Sequence, residues 1–312
     1  MPFALLFPGQ GSQAVGMGRA VCEAYPEARA AYDAASARVG YDLARLCFEG
    51  PPAQLDLTEY TQPALLTTSA AILRVVERHV LRGRRPHAVA GHSLGEYTAL
   101  IAAGGLRLED AVHLVRLRGQ FMQSAVPAGT GMVAAVLGLD RPAVEQACAQ
   151  ALSLGLAVPV NFNAPGQVVI AGEKSAVEDT TRRLQEAGAR VIILPVSVPV
   201  HCALMDPAAR RLAEVLKTTP ITPLAVPLMS NVAARLIRSA EEVRDSLVRQ
   251  LASPVLWEDG IRRLIAQGIT TFLEVGPGRV LSGLVRRIDR TVKVLNIQDP
   301  GGLPAVEEAL CS

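Results

Sequence analysis

The sequence predicts an α/β protein in which helices cover a mostly parallel sheet and a second, ferredoxin-like unit is inserted into the chain. Three observations predict it. Short apolar runs at 3–7, 88–90 and 271–275 each run into a glycine-bearing turn, as buried strands of a parallel sheet do. Stretches of helical period alternate with them. Between 132 and 195 the pattern becomes strand, helix, two strands, helix, strand, the order of a ferredoxin-like βαββαβ unit.

Taken in order, 3–7 is a strand followed by the turn Gly9-Gln10-Gly11-Ser12-Gln13. A helix at 63–81 stops at Arg82-Gly83. The strand 88–90 leads through Gly91-His92-Ser93-Leu94-Gly95 into a helix ending near 103, and another helix covers 109–124. The inserted unit reads as strand 132–137, helix 141–153, strands 157–162 and 168–171, helix 175–187 and strand 190–195. The larger unit then resumes with a helix near 204–216, a strand near 227–230, a helix near 241–251, the strand 271–275 and a helix from about 279. This assigns 1–127 and 199–312 to the large subdomain and 128–198 to the small one.

Half of the 312 residues are apolar and 19% are charged, an ordinary globular balance that can bury a sizeable core. The formal net charge is +2, so bulk charge recruits neither nucleic acid nor an anionic membrane. The five cysteines are scattered, without a CxxC pair, and read as reduced thiols, with no metal site and no disulfide framework. The apolar start lacks a basic leader and reads as a buried strand, not a signal peptide. No apolar run reaches the ~18 residues of a membrane helix. The expectation is a cytoplasmic monomer without an amphipathic seam for assembly.

Gly91-His92-Ser93-Leu94-Gly95 is a G-x-S-x-G element between a strand and a helix, the setting of a nucleophile elbow. Such a turn lifts the Ser93 hydroxyl into a cleft and aims the free N–H groups of the new helix at it. A serine nucleophile needs a base. Of five histidines, His79 and His113 lie inside helices, His87 precedes a strand, and His92 adjoins Ser93 on a tight turn that points neighbours apart. His201, in Val198-Pro199-Val200-His201-Cys202, follows the inserted unit where a loop re-enters the cleft. Chemistry alone leaves it open between base and packed loop histidine.

Seven motifs then occur in order: Phe7-Pro8-Gly9-Gln10-Gly11-Ser12-Gln13, Thr61-Gln62-Pro63-Ala64, Gly91-His92-Ser93-Leu94-Gly95-Glu96-Tyr97, Arg118-Gly119, Asn163-Ala164-Pro165-Gly166-Gln167, His201 with its flanks, and Glu274-Val275-Gly276-Pro277-Gly278. Along nearly the whole chain this resembles the malonyl-CoA:acyl-carrier-protein transacylases of bacterial fatty-acid synthesis, relatives of polyketide acyltransferase domains. The resemblance implies an α/β-hydrolase-like large subdomain carrying a ferredoxin-like insertion. It implies Ser93 as nucleophile, His201 as base, the backbone N–H groups of Gln10 and Leu94 as oxyanion hole, and the Gln250 carbonyl as the group orienting His201. Arg118 would clamp the malonyl carboxylate, and as a free side chain it is expected to be partly solvated. His201 is expected to titrate near ~6.5. Gln62, Asn163 and Val200 would belong to the substrate pocket. Val200 departs from the family habit of a small polar or aromatic residue before the base.

The resemblance implies malonyl-CoA as substrate and acyl carrier protein, with its phosphopantetheine, as partner, and no permanently bound cofactor. The alternatives are a thioester hydrolase or acyl-editing enzyme of the same fold, a polyketide-pathway acyltransferase with another extender unit, and a non-catalytic carrier-docking module. The Gly276-Pro277-Gly278 turn lacks the Lys-Ser/Thr of a phosphate loop. Arg279, Arg286, Arg287 and Arg290 read as a solvated basic face, with Arg286 and Arg290 on one side of a helix.

Overall fold

Phe3–Phe7, five consecutive buried residues, forms β1 at the centre of the larger sheet. The computed structural model describes residues 2–127, 129–194, 196 and 198–311, excepting the Cys311 side chain. Burial on both faces is why β1 is apolar throughout and does not alternate. The other strands are β2 (Ala88–Gly91), β3 (Gly131–Leu137), β4 (Ala157–Ala164), β5 (Gln167–Glu173), β6 (Arg190–Ile193), β7 (Leu228–Met229), β8 (Leu236–Ile237), β9 (Thr271–Val275) and β10 (Lys293–Ile297).

The larger sheet runs β10-β9-β1-β2-β7-β8 and is parallel except for the short edge strand β8. In register, Phe7 at the end of β1 lies beside Gly91 at the end of β2. The smaller sheet runs β4-β5-β3-β6 with every pairing antiparallel, the ferredoxin-like arrangement that the βαββαβ order predicts. The smaller sheet is tied by backbone to the segment around Val255, which lies outside both sheets. Asn161 of β4 forms a parallel bridge with Val255, flanked by Val255 N–H to Val160 O (2.9 Å) and Phe162 N–H to Val255 O (2.9 Å).

The structure corrects the sequence reading at several ends. The helix expected from Pro63 begins five residues earlier, as Thr58–Val76, with Pro63 inside it, and a wider turn carries it on through Glu77–Leu81. Only one N–H is lost at Pro63, and burial of most of the helix outweighs it. The helix expected over 141–153 is Arg141–Gln150, followed by a tighter turn at Leu152–Leu154. The strand expected to reach 195 ends at Ile193, and Pro195 lies outside the described residues. Arg286 and Arg290 do not share a helix, because Val280–Ile288 ends before Arg290. Among the described residues no helix is long and apolar enough to cross a membrane, and no cluster of acidic, histidine or cysteine side chains suits a metal ion.

Candidate active site

Glycines let three backbone segments meet at the ends of β1 and β2. A side chain on Gly9 would collide with the His92 carbonyl, and one on Gly95 with the Phe7 carbonyl. One on Gly91 would enter the backbone of Gly95. The chain can therefore leave β2, reverse, and start the Gly95–Ala102 helix directly against the loop after β1. Ser93, at the reversal, has φ 51°, left-handed for a residue with a Cβ. Asn231 secures that conformation: its Oδ1 accepts from Ser93 N–H (2.7 Å) and its Nδ2 donates to Gly91 O (2.7 Å).

Ser93 Oγ lies 2.8 Å from His201 Nε2, and His201 Nδ1 donates to the Gln250 carbonyl at 2.6 Å. A carbonyl only accepts, so the proton sits on Nδ1 and the lone pair of Nε2 faces the hydroxyl. His201 is 3% exposed, also with left-handed φ, 59°. Burial, and then the nearby Arg118 cation, push its pKa down to about 3, against the pull of the Gln250 carbonyl. The imidazole is therefore neutral at neutral pH, and the value near 6.5 expected for an ordinary histidine is overturned.

Arg118 is the second correction. It is 1% exposed, not partly solvated. The Leu108–Gln123 helix presses on Thr58–Val76 at Gly119, where a Cβ would lie 2.7 Å from the Glu59 Cα. That closeness seals the guanidinium inside. Its Nη1 donates to Gln62 Oε1 (2.8 Å), and its Nη2 to Gln250 Oε1 and Ser93 Oγ (both 3.1 Å). The Tyr97 ring lies beneath it, 5.6 Å from centroid to Cζ.

A cavity of about 390 Å³ opens above these groups. Gln10, Ser93, Leu94, Arg118 and His201 line its large-sheet side. Val133, Asn161 and Val169 of the small sheet, with Val200, supply the facing wall. The N–H groups of Gln10 and Leu94 have no acceptor among the described residues. Gln62 and Asn163 stand behind the cavity wall: Gln62 braces Arg118, and Asn163 Oδ1 bonds His92 Nε2 at 2.8 Å. His92 therefore points away from the hydroxyl into the small subdomain. Sequence reasoning missed Asn231, an amide one residue beyond the strand expected near 227–230, and Glu96, whose carboxylate meets the Gln250 amide.

A left-handed elbow serine under a neutral imidazole, between a parallel and an antiparallel sheet, defines an enzyme of the acyl-transfer class. Comparison with known proteins narrows the class. Residues 4–304 match the family model described as acyl transferase domain. A malonyl CoA-acyl carrier protein transacylase of Escherichia coli is 47% identical over 307 residues, covering 98% of this chain and 99% of its own. That of Bacillus subtilis is also 47% identical, covering 95% and 93%. The crystal structure of an acyl carrier protein S-malonyltransferase from Vibrio cholerae has 47% identity and a TM-score of 0.95, covering 98% of this chain and all of its own. A malonyl-transacylase solved with its type II PKS acyl-carrier protein has 45% identity and a TM-score of 0.96, covering 99% of this chain and all of its own. The chain belongs to the acyl transferase domain family, among its malonyl CoA-acyl carrier protein transacylases.

Proposed function

We propose that this chain carries a malonyl group from CoA to the phosphopantetheine thiol of an acyl carrier protein, through an ester on Ser93. The observation that carries the reading is a buried guanidinium 3.1 Å from the elbow hydroxyl, a site made for an acyl group with an anionic end. His201 Nε2 takes the Ser93 proton as Oγ attacks the thioester carbonyl. The oxyanion forms against the N–H groups of Gln10 and Leu94. The tetrahedral intermediate collapses, the C–S bond breaks, and the CoA sulfur leaves with the proton held by His201. In the second half-reaction His201 deprotonates the carrier thiol, sulfur attacks the ester, and Ser93 departs reprotonated.

The large subdomain, 1–127 with 199–312, would supply these groups, and 128–198 the facing wall. A monomer is the working unit of this proposal. The free thiols of Cys22, Cys47, Cys148 and Cys202 suit a cytoplasmic setting. Incubation with malonyl-CoA alone should add one malonyl group at Ser93, and holo carrier protein should remove it. Release as malonate at the same rate without any thiol would instead identify a thioester hydrolase.

Arg118→Ala tests the anion reading. Removing one partner of a desolvated pair costs about 3–5 kcal/mol, roughly a hundredfold to several thousandfold in malonyl loading. Acetyl loading, which makes no carboxylate contact, should fall far less. Arg118→Lys should rescue only in part, because an ammonium lacks the planar fork. Equal falls for both thioesters would reduce Arg118 to a support of the fold.

A further inference from the structure

Glu96 is 0% exposed beneath the elbow, and the steps above give it no task. Three groups donate to it. Gln250 Nε2 makes a short bond to Oε2, and Asn231 N–H (3.5 Å) and Ser246 Oγ (3.4 Å) reach Oε1. The same residue, Gln250, touches Ser93, Arg118 and His201. Its Nε2 also donates to the Ser93 carbonyl at 2.9 Å, its Oε1 accepts from Arg118 Nη2 at 3.1 Å, and its main-chain carbonyl holds His201.

A primary amide has two ends of nearly equal shape and opposite hydrogen-bonding sense. Flipped, the Gln250 side chain would set its NH₂ against the guanidinium and its oxygen against two acceptors, Glu96 and Ser93 O. Burial raises the Glu96 carboxyl to about 7, so the bar on that flip is strongest in the ionised form above that pH, where the acceptor makes the stronger bond. We propose that Glu96 is a positioning residue: it fixes which way the Gln250 amide faces, and so keeps the Arg118 guanidinium anchored where the acyl carboxylate arrives. Burial works against the charge on Arg118, and Glu96, when ionised, offsets part of that. Glu96 touches no reacting atom.

The inference rests on the reading of Arg118 as carboxylate receptor, and one assay separates the two. Malonyl and acetyl loading on Ser93 are measured for the wild type, Arg118→Ala, Glu96→Gln and Glu96→Asp. A glutamine at 96 can offer either end to Gln250, so Glu96→Gln should lower malonyl loading about ten- to hundredfold with a much smaller change for acetyl. Glu96→Asp keeps the charge but loses reach, and should fall between. Glu96→Asp keeps the proposal testable should Glu96→Gln fold poorly, and a thermal melt beside each assay shows which variants fold. An unchanged ratio in Glu96→Gln, or equal falls of both substrates in Glu96→Gln and Glu96→Asp, would overturn the positioning role. Failure of Arg118→Ala to discriminate would overturn the receptor reading instead.

Discussion

Ser93→Ala is expected to abolish acyl-enzyme formation, with a rate loss of about 10⁶-fold, the scale of deleting a serine nucleophile. The variant should fold. Asn231 bonds the backbone N–H at 93, not the hydroxyl, and alanine tolerates the φ of 51° no worse than serine. The lost hydroxyl leaves His201 Nε2 facing the cavity and removes one acceptor from Arg118, which keeps Gln62 and Gln250. Mass spectrometry after incubation with malonyl-CoA, beside a thermal melt, checks both halves. A stable malonyl adduct on another residue of a folded Ser93→Ala protein would reassign the nucleophile.

His201→Ala should slow acylation and transfer by about 10²–10⁴-fold, the range of positioned proton transfer. Wild-type rates in that variant would redirect attention to His92, although His92 Nε2 is engaged by Asn163. The pH profile adds a sharper test. The working form of His201 is neutral and its pKa is pushed down to about 3, so acetyl loading should stay level as pH falls through 6.5 and decline only far below it, whereas malonyl loading should also follow the protonation of Glu96 near 7. A malonyl carboxylate on Arg118 would offset part of the charge that depresses His201. The transfer step should then begin its decline at a higher pH than acylation.

The same shift bears on stability. Below 6.5 the unfolded chain protonates this histidine and the folded chain does not, so stability is full above 6.5 and drains as pH falls toward 3. Urea midpoints of wild type and His201→Gln should converge at low pH. Parallel curves would show that His201 charges readily in the folded protein.

The parts legible in the sequence were those with a local signature. β1, β2 and β9 are short apolar runs, and the inserted sheet shows as a strand and helix order. The elbow is five contiguous residues. What stayed hidden depends on residues far apart in the chain. Asn231 reaches Ser93 across 138 positions and Gln250 reaches Glu96 across 154, and no spacing rule connects them. Arg118 looked like a solvated helix residue because burial depends on which helix covers it. The neighbouring Gly119, which admits Thr58–Val76, was quoted only as part of a motif. His201 was placed by its loop, but its depressed pKa follows from burial and then from the nearby Arg118 charge, which only the fold supplies.

The rung that Val255 adds to β4 has a consequence for building chimeras. Substrate preference invites transplanting the inserted sheet from one relative to another, and the cuts suggested by chain order fall near 128 and 198. Val255 lies 57 residues beyond the second cut, yet its two backbone bonds complete the edge of β4 beside Asn161, which lines the cavity. A donor sheet moved without its partner segment would meet a foreign backbone along that edge and could settle in a shifted register, carrying the acyl-facing wall with it. The transplantable unit is therefore discontinuous: the inserted strands together with the few residues around Val255.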